Sequence, residues 1–288
     1  MRLSQLVIQI LNALSYAALL FLISSGLSVI FGLMRIINLA HGSFFLLGAY
    51  IGLTVVTKTG SFLLAALIAG LSVAALGVVL ERFFFRALLG RELDQVLLTL
   101  GFAYIIRDAA KWLWGAIPQS VPKPAIFAGS IVIMGDSLPT YRLTVIGIGV
   151  IVALFLWLLI DRTRFGAIVR AGVDDKQMVT GLGVNISLVF SAVVALGSFL
   201  AAFGGFVGGP ISGAYQGLDS EVLILALAVV IVGGLGSLKG PLLGSLLIGF
   251  VDTFGKVLFP NFNILTIYVA MTLILLIKPK GLWGSARL

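Results

Sequence analysis

Arg35, Asn38, His41 and Ser43 fall within the stretch Phe31 to Tyr50, FGLMRIINLAHGSFFLLGAY, which is otherwise apolar enough to belong inside a bilayer. A guanidinium, an amide, an imidazole and a hydroxyl at this spacing can exchange hydrogen bonds and hold charge, but they offer no activated nucleophile. Such a polar break cannot face lipid, because each backbone group it frees costs several kcal/mol if left unpaired. It is tolerated where it lines a cavity or reaches an aqueous face. Two roles are open. Asn38, His41 and Ser43 can lie along a path, touching the zwitterionic end of a small solute while Phe44 and Phe45 accommodate its apolar remainder. Equally, Asn38 and His41 with Arg35 can complete the hydrogen bonds of a broken helix.

Other charges lie in apolar surroundings and need a partner or a cavity. Asp108 and Lys111, beside Arg107, have the i,i+3 spacing of a self-neutralising pair, and Asp252 and Lys256 have the i,i+4 spacing. Glu221, next to Asp219 near the outer end of a span, either faces a cavity mouth or belongs to a solvated helix start with its carboxylates near the positive end of the dipole, the latter being the preferred reading. No catalytic residue is assigned: acid, base and nucleophile do not cluster, which argues against a membrane-embedded enzyme. The chain has a single histidine and no cysteine, so no metal site is expected, and no cofactor either. The glycine cluster GGLGSLKG, Gly233 to Gly240, is not a phosphate loop, because Lys239 is followed by Gly240 and no hydroxyl is left for magnesium. ATP, if used, must be bound by another chain.

The elements that must hold these groups follow from composition. Of 288 residues 60% are hydrophobic and 10% charged, with a mean hydropathy of +1.18, which marks an all-α polytopic membrane helix bundle rather than a soluble domain. Candidate spans fall near 5–32, 42–57, 62–80, 95–115, 143–160, 186–208, 220–236, 240–258 and 263–277. Eight or nine crossings result, the span after His41, 42–57, being short enough to be re-entrant. The first apolar run continues to about Leu33 without a cleavage pattern and reads as a membrane helix, not a signal peptide. The net charge of +8 forms no aromatic-interleaved face and points away from nucleic acid. Twelve of the 19 basic residues gather on one side, which should be cytoplasmic and include the C-terminus.

Two connections exceed a hairpin. The outer one, 116–142, has four prolines and the run AIFAGSIVIMG, consistent with a small ordered cap that either docks an extracytoplasmic partner or straps the bundle. The inner one, 161–185, reads as a short amphipathic helix on the cytoplasmic face: Gly172 interrupts the loop, Asp174 and Asp175 cap the following helix, and Gly181 and Gly183 end it. A helix that short is marginal in water, so a partner surface would stabilise it. Gly204/Gly208, Gly205/Gly209, Gly236/Gly240 and Gly240/Gly244 have the small-xxx-small spacing of closely packed membrane helices.

Three stretches, GLMRIINLAHGSFFLLGAY, RTRFGAIVRAGVDDKQMVTGLGVN and VVIVGGLGSLKGPLLGSLLIG, make the chain resemble the permease subunits of branched-chain amino-acid-type ABC importers, the LivH-like group, over essentially its whole length. Where many members carry Phe and Glu around the Ala-His-Gly core, this chain has Leu39 and Ser43. The resemblance implies a non-enzymatic subunit of a bacterial or archaeal inner or plasma membrane, paired with a second related permease, two cytoplasmic ATPase subunits and an external solute-binding protein. It makes 161–185 the coupling loop, with Arg170, Ala171, Gly172, Asp174, Asp175, Lys176 and Gly181 toward the ATPase. The expected cargo is a small, hydrophobic amino-acid-like solute. An ion-coupled secondary transporter, with Asp252 or Asp108 carrying the ion, is the alternative.

Overall fold

The computed structural model describes residues 2–133, 135–237 and 239–283, without the side chains at 263 and 264. Among these, eleven α-helices form the bundle: α1 (Leu3–Met34), α2 (His41–Thr59), α3 (Phe62–Leu80), α4 (Glu92–Trp114), α5 (Thr140–Arg162), α6 (Arg164–Asp174), α7 (Lys176–Gly181), α8 (Ile186–Ser212), α9 (Leu218–Gly233), α10 (Gly240–Leu258) and α11 (Asn263–Ile277). One hairpin, β1 (Ser130–Ile133) paired antiparallel with β2 (Asp136–Pro139), is the minor sheet. Six helices are long and apolar enough to span a membrane: α1, α2, α3 with its continuation to Leu88, α5, α8 and α10. The other three long elements fall short for identifiable reasons. Helix α4 carries Arg107, Asp108 and Lys111 within its 23 residues, while α9 and α11 have 16 and 15 residues.

Helix α1 is the axis. It is apolar around its whole circumference, so it buries itself, and nearly every residue from Leu19 to Met34 is enclosed by α8, α10, α5 and α9. Helix α5 instead shows Val150, Ile151, Leu154, Phe155 and Leu158 outward, the expected face toward lipid.

Small residues set the closest approaches. A side chain on Gly48 would overlap Ala202 of α8, and one on Gly205 would overlap the Phe45 carbonyl, so α2 and α8 cross backbone to backbone. Gly204 and Gly208 of α8 sit against Leu22 and Phe45. Gly240 and Gly244 at the start of α10 abut Gly233 and Val229 of α9. Gly236 is different from the helical spacing expected of it. It lies in the α9–α10 turn with φ +74° and rests on Gly32, because a left-handed turn needs a residue without Cβ.

The chain doubles back at the polar break. Arg35 ends α1 in left-handed conformation, φ 53°, its N–H bonded to the Phe31 carbonyl. Residues 35–40 then run back beside α1, so that His41 meets Ile23, 11 residues or about 16 Å before the end of α1. Helix α2 therefore starts inside the bundle rather than at its surface. Helix α9, about 24 Å long, begins similarly: Asp219 lies beside Gly42 at the head of α2.

The outer connection is ordered by pairing. Gln119 and Ala214 exchange two backbone hydrogen bonds of 2.8 Å, fastening it to the α8–α9 turn, while Val121 packs on Gly209. A 3₁₀ turn at Ala125–Phe127 precedes the hairpin. The inner connection holds two helices where a single one was expected. Gly172 interrupts nothing: it lies within α6, where a missing Cβ lets α6 approach Leu33. Asp175 alone caps α7, accepting from Gln177 and Met178 N–H at 2.9 and 3.0 Å, because Asp174 still belongs to α6. Gly183, φ +83°, supplies the left-handed turn beyond α7, and Gly181 is its last helical residue.

Candidate functional site

The five residues expected along a path are all buried in the single chain. Asn38 folds an Asx turn, its Oδ1 accepting from Ala40 N–H at 3.1 Å, and its carbonyl accepts from His41 N–H. His41 Nε2 donates to the Ile23 carbonyl at 3.0 Å, which assigns the ring proton to Nε2 since a carbonyl only accepts. Both groups thus start α2 and tie it to α1. Phe44 lies in the main core, and Phe45 fills the α2–α8 crossing against Gly205 and Gly208. Ser43 differs: its hydroxyl, 3.3 Å from both the Ala103 carbonyl and Asp219 Oδ2, points toward charge.

That charge is an ion pair between α4 and α9. Arg107 donates from Nε and Nη2 to Asp219 Oδ2 at 2.8 and 2.7 Å, and from Nη2 to the Ser220 hydroxyl. Asp219 is 2% exposed, and its Oδ1 has no hydrogen-bond partner among the described residues. Arg107 also stacks over Tyr104, with its guanidinium 5.3 Å from the ring centroid. A cavity of about 90 Å³ opens beside the pair, walled by Leu39, Leu100 and Leu223. Two expectations are corrected here. Asp108 and Lys111 form no ion pair among the described residues, both being exposed, and Asp219 is not a solvated helix start but a buried partner of Arg107. Local spacing favoured the first reading, yet side chains 112 residues apart meet instead. Glu221, the neighbouring carboxylate, accepts from the Tyr215 hydroxyl at 2.6 Å. Burial and that carboxylate push the Tyr215 phenol up to about 12.

A second buried carboxylate escaped sequence reasoning. Glu81, fully enclosed, begins a π-helical turn, Glu81–Phe85, that continues α3. The wider turn brings Arg86 round to it: Nε and Nη2 donate to Oε1 at 2.9 and 2.7 Å, and Nη2 also to Oε2 at 3.0 Å. Ser191 donates to Glu81 Oε2 at 2.7 Å, and Arg86 also reaches Ser187. The cluster pins the end of α3 to the first turns of α8. Asp252 and Lys256 pair at 2.6 Å as their i,i+4 spacing suggests.

The inner helices touch the break. Gly172 of α6 abuts Leu33 at the end of α1. Lys176 of α7 lies over Phe190, 5.4 Å from the ring centroid, and its amine is lowered from the ordinary lysine value first by burial and then by the nearby Arg35 guanidinium. Arg170 turns inward, donating to the Ile160 carbonyl and lying 3.6 Å from Asp161, which Lys239 also approaches at 3.6 Å. Ala171, Asp174, Asp175 and Gly181 are exposed. So are Met178 and Leu182, at 66% and 74%, apolar residues absent from the sequence-based set. They are apolar in a loop that reads as polar, and their exposure appears only once the helix is placed.

Among the described residues, six helices of membrane-spanning length, with ion pairs buried among the helices, a chain reversal inside the bundle and a pair of short helices at one end, define a multi-pass membrane helix bundle. The family profile described as branched-chain amino acid transport system, permease component, matches residues 9–278, and the chain belongs to that family. It is 28% identical over 293 residues to the high-affinity branched-chain amino acid transport system permease protein BraD of Pseudomonas aeruginosa, covering 96% of this chain and 95% of that one. It is 24% identical to LivH of Escherichia coli K12, covering 96% and 94%. Among solved structures, PsaBC from Streptococcus pneumoniae in complex with Fab aligns with a TM-score of 0.48 at 15% identity, over 92% of this chain and 89% of that one.

Proposed function

We propose that this chain is the permease subunit of an ABC importer for branched-chain or other hydrophobic amino acids, driven by ATP hydrolysed on two separate cytoplasmic subunits. The observation that carries the reading is the α6–α7 element, which offers Met178 and Leu182 to a partner while resting on Leu33 and beside Arg35 at the mouth of the break. In a chain without a nucleotide loop, such an element can pass a partner's movement inward. Displacing α6 shifts Leu33, the 35–40 segment follows, and the head of α2 moves against the Arg107–Asp219 pair through Ser43. Rigid helices shifting between packed arrangements are the usual means of opening a path to alternate sides.

A second, related permease completes the path. Helix α4 leaves Asp108 and Lys111 exposed; at membrane depth lipid does not solvate such charges, whereas a partner subunit or water-filled path does. The ordered 116–142 cap is the docking surface for an external solute-binding protein, and the C-terminus is cytoplasmic. The test is uptake of L-leucine into proteoliposomes holding the full complex and its loaded binding protein. Uptake that requires internal or external ATP on the ATPase side supports the reading, and uptake driven by an ion gradient without ATP overturns it.

A further inference from the structure

We propose that the Arg107–Asp219 pair is a way-station for the amino-acid head group, the guanidinium receiving the solute carboxylate and the free oxygen of Asp219 receiving its ammonium. This rests on the importer reading above and names the contact within it.

Three features of the site carry the inference. First, the pair is incompletely satisfied. Asp219 spends Oδ2 on Arg107 and Ser43 and leaves Oδ1 unpartnered although the residue is 2% exposed. A buried carboxylate oxygen without a donor is costly and uncommon in a purely structural pair. Arg107 has five N–H donors, and its Nη1 makes no hydrogen bond among the described residues. Arg107 and Asp219 both line the adjoining cavity, so one donor and one acceptor of full charge are left unspent at a single site, the complement of a zwitterion. Secondly, there is room. The adjoining cavity of about 90 Å³ equals the share of about three waters, enough for the carboxylate and ammonium in their place. Its Leu39, Leu100 and Leu223 walls are apolar, and an aliphatic side chain, for which this volume leaves no space beside the head group, would extend along them beyond the cavity's open side. Thirdly, the site opens outward. Tyr104, 54% exposed, forms its rim over Arg107, and Asp219 lies against Gly42 and Ser43 at the head of α2, where the inner helices can act on it.

The experiment uses the full complex with its loaded binding protein in proteoliposomes, and reads both assembly and ATP-dependent uptake of L-leucine. Asp219→Asn keeps the shape and removes the charge. The double variant Arg107→Met with Asp219→Leu replaces the pair by apolar side chains, a change that buried ion pairs often tolerate in stability. Both are expected to assemble and to lose about tenfold or more of uptake, the usual scale of a lost charged contact. A cysteine at Leu223 in this cysteine-free chain should react with a small thiol reagent and be protected by leucine during turnover, and Asp219→Asn should abolish that protection. Uptake within about twofold of the unaltered complex in an assembled variant overturns the proposal, as does absence of protection. Failure of both variants to assemble also overturns it, identifying the pair as a clamp. If the unaltered complex imports no leucine with ATP, the importer reading itself falls, whereas import unaffected by the variants refutes only the role of the pair.

Discussion

Truncating Glu81 should damage this protein more than any equally small change at its surface. The carboxylate is fully enclosed and accepts from Arg86 at 2.9, 2.7 and 3.0 Å and from Ser191 at 2.7 Å. Glu81→Ala leaves the guanidinium facing a hole. Breaking a buried pair on one side typically costs about 3–5 kcal/mol. The Arg86 side chain is 30% exposed, so solvent recovers part of that loss and the lower end, about 3 kcal/mol, is expected. That is a factor of about a hundred in the folded-to-unfolded ratio. Glu81→Gln retains the shape but loses the charge and turns one acceptor oxygen into an NH2 donor that meets Arg86, at a cost of about 1.5–3 kcal/mol. Replacing both partners by Met and Leu should return stability to within about 1 kcal/mol of the native chain. Titration with denaturing detergent in mixed micelles, followed by fluorescence of the four tryptophans, measures all three. A single truncation costing under about 0.5 kcal/mol, or a double variant as weak as the single, would refute the reasoning that this pair holds α3 to α8.

Asp175→Ala, which removes the α7 cap, should cost about 1 kcal/mol of local stability and reduce solute-stimulated ATP hydrolysis in the complex, whereas Asp174→Ala should leave it unchanged. Met178→Asp or Leu182→Asp should weaken ATPase co-purification without changing the yield of the permease alone. Gly205→Leu should lower assembled yield by overpacking the α2–α8 crossing, at a cost of about 1–3 kcal/mol or more, and normal yield would show that the crossing separates freely. A cysteine at Ser43 should label with a rate that changes between nucleotide-free and ATP-bound complex, while cysteines at Asn38 and His41 label slowly in both. Equal, rapid labelling at all three would show that the break itself is the water path.

Apolar runs made the helices legible. The α3, α8 and α10 limits read from hydropathy lie close to the observed ones, and the i,i+4 pair of Asp252 and Lys256 required only helical geometry. What stayed hidden needed either a distant partner or an irregular turn. Nothing near Arg107 in the chain announces Asp219, and the nearest local partners, Asp108 and Lys111, suggested another pairing. Glu81 and Arg86 are five apart, a spacing that an α-helix does not bring together and a π-turn does. Gly236 carried the spacing of a packing motif but occupies a turn, since periodicity says nothing of where a helix stops. In the inner loop, helix caps were readable and the helix preceding them was not, because Gly172 looked like punctuation when it is a contact.

The bond between Arg107 and Asp219 also sets a clock on how the protein is made. Ribosomes extend a chain at about 5–20 residues per second, so the 112 residues between the two take about 6–22 s to appear. For that interval α4 exists with its guanidinium, and with Asp108 and Lys111, but without the carboxylate that will receive it. It must wait at the membrane surface, in the insertion machinery or against another polypeptide until α9 emerges. Topogenesis of this permease is therefore expected not to be strictly sequential: the time at which α4 becomes inaccessible to membrane-impermeant labels during synthesis should coincide with the arrival of α9 rather than with the completion of α4 itself.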